Sequence, residues 1–244
     1  KSPQKNYYEI SSIKKYTIED NKKLLKKNIK FLDLGCGTGN HLEVLDSFSY
    51  KCVGLDISKD MLDKTQTKSP HIPLIRGDFH NRNAVKKGHF THVTCMYYTI
   101  YYTKRLNELF TNVNYWLAPG GFFCIHLVSK SEFDPILESA SSLIPLYDPQ
   151  KHVKKRVTKT KLKFNQFNYI GDWDFSEKHE TSFTEHFMFK DNSRHIENKH
   201  TLHMYPINTY KRVAKNAGFT LHRIVDLAPT NHENNYMYIF RKVF

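Results

Sequence analysis

The chain has 244 residues, of which 39% are hydrophobic, and a formal net charge of +13. That apolar content supports a sizeable core and excludes global disorder, and no run approaches the ~20 apolar residues needed to span a bilayer. The four cysteines, Cys36, Cys52, Cys95 and Cys124, lie in or beside apolar runs and form no CxxC pair. They read as reduced core thiols of a cytoplasmic protein, not as a disulfide scaffold or metal cluster. The positive charge points to an anionic partner, but the abundance of Lys, Asn, Tyr, Ile and Phe also accounts for it compositionally. No signal-peptide pattern is visible at the start.

Residues 1–29 are Lys-rich and carry Tyr7, Tyr8 and Tyr16. Ile18, Leu24 and Leu25 predict one face of a helix starting near Thr17, with Glu19 and Asp20 in its first turn. This segment is expected to act as a lid. Next comes an apolar run, Phe31-Leu32-Asp33-Leu34, broken by the turn Gly35-Cys36-Gly37-Thr38-Gly39 and followed by helical spacing from His41 to Leu45. Strand, glycine turn and helix make a nucleotide-type cradle, in which side chains would hold the backbone away from the ligand.

Tyr50–Asp56 reads as a second strand ending in an acid, and Ser58 caps a helix with Met61 and Leu62 on its inner face. Pro73–Phe79 is a third strand containing Asp78, and Phe90–Tyr98 a fourth. Leu106, Leu109, Phe110, Val113 and Leu117 share a helical face that Pro119-Gly120-Gly121 ends. Phe122–Val128 is a fifth strand. Strands alternating with helices predict an α/β, Rossmann-like, doubly wound and mainly parallel sheet. Ligands of such sheets lie beyond the strands' carboxyl ends, which gathers Gly35–Gly39, Asp56, Asp78, Met96 and His126 around one crevice.

Beyond Ser129 the pattern changes. Phe133–Leu143 has helical spacing, and a β-rich insertion is expected over 146–205, with a hairpin turn at Asp191-Asn192-Ser193. Ile207–Ala217 is a helix closed by Gly218. Thr220–Leu227 and Tyr236–Phe244 return to the main sheet, the last pair antiparallel, for seven strands. The expected organisation is a lid at 1–29, a main domain at 30–145 and 206–244, and the insertion at 146–205.

The GxGxG turn lacks the third glycine of a dinucleotide fingerprint, since Asn40 stands there. Asp56 is placed to accept hydrogen bonds from vicinal ribose hydroxyls. Asp78-Phe79 offers a carboxylate and a flat wall to an adenine.

DLGCGTGNHLEVL, VGLDISKDMLDKT, IRGDF, FTHVTCMYYTIYY and LAPGGFFCIHL, in that order, resemble the motif series of class I S-adenosylmethionine-dependent methyltransferases (EC 2.1.1). The likeness covers residues 30–128. It implies that Asp33, Gly35, Cys36, Gly37 and Gly39 hold the methionine end of S-adenosylmethionine. It further implies Asp56 on the ribose, Ile57 and Met61 beside the adenine, and Asp78 and Phe79 reading the base. Cys95 and Met96 would line the floor near the sulfonium, and Tyr8 would lie in the lid. The product would be S-adenosylhomocysteine. The insertion is similar to that of small-molecule N-methyltransferases of the amino-sugar and glycine type, where it closes over the acceptor and often dimerises. This implies a small-molecule acceptor such as the amino group of a nucleotide-linked sugar. RNA or protein methylation, or a non-catalytic scaffold, are the alternatives.

Methyl transfer needs an aligned nucleophile and, for a protonated acceptor, a base. His126, at the end of the fifth strand, is the candidate base. Tyr97 and Tyr98 are candidate catalytic partners, and Tyr101 a candidate acceptor contact. Lys151, Lys154, Lys155, Arg156, Lys159, Lys161 and Lys163 concentrate charge on the insertion and suit an anionic acceptor or a solvated edge. Nucleic acid is not favoured, because no RNA-recognition signature is present. His200 and His203 fall on opposite faces of a strand, so no metal site is expected.

Overall fold

Lys30–Leu34 forms the central strand β1, and Phe31, Leu32 and Leu34 are fully buried. A strand so covered on both faces belongs in the middle of a parallel sheet. The computed structural model describes residues 3–20, 28–133, 156–191 and 194–243. They divide into two compact units. One comprises Ser2–Ile100, Lys104–Ser129 and Pro206–Phe244, the other Tyr101–Thr103 and Lys130–Tyr205.

The first unit holds β1, β2 (Lys51–Asp56), β3 (Leu74–Arg76), β4 (Phe90–Cys95) and β5 (Leu117–Val128), with β10 (Phe219–Asp226) and β11 (Asn235–Lys242). They make a seven-stranded sheet in the order β10-β11-β5-β4-β1-β2-β3. The five strands β1–β5 pair in parallel, and β11 lies antiparallel between β5 and β10. This is the expected Rossmann-like sheet. The order reverses beside β1, between β1 and β4, which places the ligand crevice at the turn after β1.

Three strand boundaries depart clearly from expectation, the first being β3, which stops at Arg76 and leaves Asp78 and Phe79 in the loop after it. β4 stops at Cys95, because Tyr97 and Tyr98 turn into left-handed backbone at φ 49° and 68°. β5 begins at Leu117, with Gly120 at φ 73°, so the Pro-Gly-Gly stretch is part of the strand.

Helix α2 (Asn40–Ser47) starts directly after Gly39, which takes a left-handed φ of 77°. Helix α3 (Lys59–Lys68) is capped by Ser58, whose hydroxyl accepts from the Met61 amide. Leu62 is buried beneath it, but Met61 is 40% exposed and does not lie on the inner face. Helix α4 (Leu106–Trp116) buries Leu106, Leu109, Phe110, Val113 and Trp116. Helix α5 (Ile207–Asn216) is followed by Gly218 at φ 84°.

The N-terminal helix begins earlier than predicted. Helix α1 spans Pro3–Ile13 and runs on as a wider π-type turn over Lys14–Glu19. Thr17 starts nothing: its hydroxyl donates to the Ile13 carbonyl one turn back. The buried face that drives the helix is Ile10 and Ile13, upstream of the residues that suggested it; Leu24 and Leu25 lie outside the described residues.

The second unit holds an antiparallel sheet, β6 (Lys159–Lys163), β7 (Phe167–Asp174), β8 (Glu180–Phe189) and β9 (His195–His203), in that order. The helix predicted over Phe133–Leu143 lies, beyond Phe133, outside the described residues, as do Lys151, Lys154, Lys155, and Asn192 and Ser193 of the predicted turn. No helix among the described residues is long and apolar enough to cross a membrane.

Candidate active site

The turn after β1 is held from below by β2. The amides of Gly35 and Cys36 both donate to the Leu55 carbonyl, at 2.7 and 3.2 Å. Gly35 has φ +61°, and a Cβ there would sit 2.4 Å from the Thr99 methyl. Gly39 is as constrained: a Cβ would lie 2.5 Å from the Thr65 methyl, and the Thr65 hydroxyl donates to the Gly37 carbonyl at 2.8 Å. Gly54 of β2, which the sequence reading passed over, completes the fit. A Cβ there would stand 2.7 Å from Cys36 Sγ, so the loop tucks against the strand only because Gly54 has no side chain.

Asp56, at the carboxyl end of β2, accepts from the Gly37 amide on Oδ2 and from the Ser58 amide on Oδ1, each at 2.8 Å. Two backbone donors lock the carboxylate, and each oxygen keeps a second lone pair for a diol. Beside it Ile57 and Met61 are 69% and 40% exposed. They are apolar surfaces at the place expected for the adenine wall. Asp33 is nearly fully buried and accepts from the Thr94 hydroxyl at 2.6 Å. Burial, and then the charges of Asp33 and Asp56, push the Cys36 thiol far up, and burial does the same to Cys95. Neither is a nucleophile at neutral pH.

Asp78 follows β3. It accepts from the His80 amide at 2.8 Å and lies 3.6 Å from the Arg105 guanidinium, which also pairs with Glu108 at 3.1 Å. Burial, and then Arg105, hold His80 below its ordinary pKa. Asn112 of α4, unremarked in the sequence, donates to the Phe79 and His80 carbonyls at 3.2 and 2.9 Å and fixes this loop.

Met96 is 3% exposed, and Tyr97 and Tyr98 follow in left-handed backbone. Two consecutive non-glycine residues with positive φ store strain, of order 1–3 kcal/mol each, at the carboxyl edge of the sheet. The Tyr98 ring stacks on His126 at 4.6 Å, and its hydroxyl donates to Asn235 Oδ1 at 2.8 Å. His126 Nε2 meets the same oxygen at 3.1 Å. That oxygen is an acceptor, so hydrogen-bond logic puts the imidazole proton on Nε2. His126 is fully buried, and its Nδ1 has no hydrogen-bond partner. Burial above all, helped by the Lys5 charge, pushes its pKa down to about 3. The ring is therefore neutral at physiological pH and takes a proton only weakly.

The structure adds an ionic group from α1. Lys5 Nζ lies 3.4 Å from Glu9 Oε1, and Glu9 Oε2 lies 2.8 Å from His41 Nε2 at the start of α2. Lys5 and Glu9 are 1% and 0% exposed, and Lys5 Nζ sits 4.5 Å above the Tyr97 ring. Burial pushes the Glu9 carboxyl up, but the His41 hydrogen bond and the Lys5 charge outweigh it and bring the pKa to about 2. Tyr8, the expected lid residue, donates to the Asp226 carbonyl at 3.2 Å, while Tyr7 is exposed. The signal for this group was present as Lys5 and Glu9 at helical i,i+4 spacing. It went unread because the helix was predicted too late. Tyr101 belongs to the other unit and is fully buried. Among the described residues no group of three or more His, Cys, Asp or Glu is arranged to hold a metal ion.

The glycine turn, the carboxylate at the end of β2 and the strand order define a Rossmann-like architecture. Residues 31–121 match the family model described as methyltransferase domain, and the same part of the chain is similar to amino-sugar N-methyltransferases. One relative is the dTDP-3-amino-3,4,6-trideoxy-alpha-D-glucopyranose N,N-dimethyltransferase of Streptomyces venezuelae, 34% identical over 37% of this chain and 38% of its own length. Another is the dTDP-4-amino-2,3,4,6-tetradeoxy-D-glucose N,N-dimethyltransferase of Saccharopolyspora spinosa, 32% identical over 37% and 36%. The matched stretch thus spans well under half of these relatives. An S-adenosylmethionine-dependent methyltransferase from Clostridium acetobutylicum has the same fold, with TM-score 0.75, 20% identity and coverage of 99% and 92% of the two chains. The S-adenosylmethionine-bound amino pentose methyltransferase of Micromonospora echinaspora aligns at TM-score 0.68 and 17% identity over 99% and 92%.

Proposed function

We propose that the chain is an S-adenosylmethionine-dependent methyltransferase acting on the amino group of a small molecule, of the nucleotide-linked amino-sugar class. The observation that carries the reading is Asp56. It is a carboxylate pinned by the Gly37 and Ser58 amides directly beside the glycine turn, with exposed Ile57 and Met61 next to it. This set fits an adenosine: diol on Asp56, base between the apolar side chains and Asp78-Phe79, amino-acid end along Asp33 and Gly35–Gly39. When bound, the cofactor supplies an electrophilic methyl on a sulfonium, whose leaving group is neutral. The chain then has to exclude water, align the amine and leave its lone pair free. Tyr97, Tyr98 and His126 are the groups assigned to that task. α1 closes the site as the lid, and the second unit takes the acceptor and forms any homodimer contact.

The test is radiolabelled methyl transfer to a panel of nucleotide-linked amino sugars, free amines, capped RNA and histone-like peptides. The expected result is transfer to an amino sugar, with Asp56→Ala raising the cofactor Kd at least tenfold, about 1.4 kcal/mol. Transfer only to RNA or peptide would overturn the acceptor class. Failure of S-adenosylhomocysteine to bind would overturn the whole reading.

A further inference from the structure

The cross-strand register of the second unit sorts its side chains by charge. Lys159, Lys161 and Lys163 share rows with Asp172, Ile170 and Asn168, then Thr184, His186 and Met188. The opposite face carries Tyr169 with Phe187, Gly171 with Glu185, and Trp173 with Phe183. One carboxylate thus sits in the middle row of an aromatic face. The Tyr169 and Phe187 rings meet edge-on at 5.2 Å to one side of it, and Trp173 stacks on Phe183 at 4.2 Å on the other. Gly171, directly across from Glu185, allows this: a Cβ there would lie 3.0 Å from the Tyr169 hydroxyl and 3.2 Å from the Phe183 ring.

Glu185 is 19% exposed. Tyr169 donates to its Oε1 at 2.9 Å. Its Oε2 faces His200 Nε2 at 3.6 Å, longer than a hydrogen bond. Among the described residues no Lys or Arg lies within ion-pair distance of this carboxylate, although the reverse face has several. Tyr102 also lies here, its hydroxyl 3.3 Å from His200 Nδ1. Burial and then the Glu185 charge push that hydroxyl's pKa up. A part-buried carboxylate ringed by π faces, without a permanent internal cation, matches an organic ammonium ion. The carboxylate supplies the counter-charge, and the ring faces attract the cation while covering its carbon skeleton.

We propose that this face is an ammonium-binding site, with Glu185 as counter-charge and Tyr169, Phe183 and Trp173 as its walls. Naming its natural ligand as the acceptor amine rests on the function proposed above; the site itself does not.

The direct test uses Trp173 fluorescence, since the other tryptophan, Trp116, is fully buried in the first unit. Cyclohexylammonium chloride is titrated at constant ionic strength against cyclohexanol as the uncharged control. A saturable change with the ammonium alone is expected. Glu185→Gln should weaken it about tenfold, as loss of a charged hydrogen bond with retained cation–π contact implies. The amide keeps an acceptor for Tyr169, so the fold is preserved, as near-UV circular dichroism would verify. Trp173→Phe should abolish the signal. Equal responses to both probes, or an unchanged Glu185→Gln titration, overturn the site.

A second arm measures methyl transfer to an amine acceptor. The acceptor KM should rise about tenfold in Glu185→Gln, while the cofactor KM stays put. Ammonium binding without methylation of any amine would sink the proposed function and leave the site standing. Methylation with an unchanged acceptor KM would leave the proposed function standing and remove the acceptor amine as this site's ligand.

Discussion

Replacing Gly35 with alanine forces a Cβ to within 2.4 Å of the Thr99 methyl at φ +61°. The turn must then open, so Gly35→Ala should lose at least tenfold in S-adenosylhomocysteine affinity by calorimetry, about 1.4 kcal/mol. His126 makes a different prediction. His126→Ala should lower kcat and leave the cofactor Kd unchanged; full turnover would remove it from the reacting centre. Its buried neutral ring also bears on stability. His126 and His92 both have folded pKa values of about 3, against an ordinary 6.5. For a histidine whose folded pKa is depressed, the unfolded chain binds the proton first. The contribution is complete above pH 6.5 and drains away as pH falls toward 3. At ~1.4 kcal/mol per pH unit for each ring, the pair should cost roughly 4 kcal/mol between neutral pH and pH 5. Urea denaturation at the two values checks this, and His92→Asn should show about half the loss. Glu9, with a folded pKa near 2, keeps its contribution over that range and surrenders it only below pH 4.5. Gly35 and His126 are legible as site residues in the chain, but the depressed histidine pKa values and the partners of His126 are not. Nothing in VTCMYYT announces two left-handed tyrosines, and no spacing rule says that Asn235, 109 residues on, will meet His126.

Helix α1 shows why elements differ in legibility. Strands β1, β2, β4 and β5 were plain because both faces are covered, which leaves apolar runs bounded by glycine or acid. α1 was misplaced because its buried face includes Lys5 and Glu9, which a hydropathy reading assigns to water. That polarity makes the element testable. Glu9→Gln leaves a buried ammonium facing an amide and should cost about 3–5 kcal/mol of stability. The paired replacement Lys5→Met with Glu9→Leu should recover most of the loss by thermal denaturation. If the single and paired variants melt alike, the buried Lys5–Glu9 pair is not what makes Glu9→Gln costly. In the second unit, β6–β9 are legible only as alternation; the register that sets Gly171 opposite Glu185 has no signal in the sequence.

At the scale of the molecule, ligand binding and folding are linked, because β1, β2 and β4 supply both the core and the site. Saturating S-adenosylhomocysteine at ~100 times its Kd adds about 2.7 kcal/mol. That should raise Tm by roughly 5–10 °C for a chain of this size, and by about half of that or less in Gly35→Ala, whose Kd is at least tenfold higher. A rise of equal size in both proteins would mean binding elsewhere.

Cys36, Cys52, Cys95 and Cys124 are all buried, and burial raises every one of their pKa values. The folded chain therefore carries four silent chromogenic reporters, and a thiol reagent reads the rate at which each region opens. Cys95 and Cys124, inside the sheet, time global unfolding. Cys36, tucked between the glycine turn and Gly54, times the site alone. Occupancy of the crevice should slow Cys36 labelling before it touches the others, giving an unlabelled-ligand assay that requires no turnover and no knowledge of the acceptor.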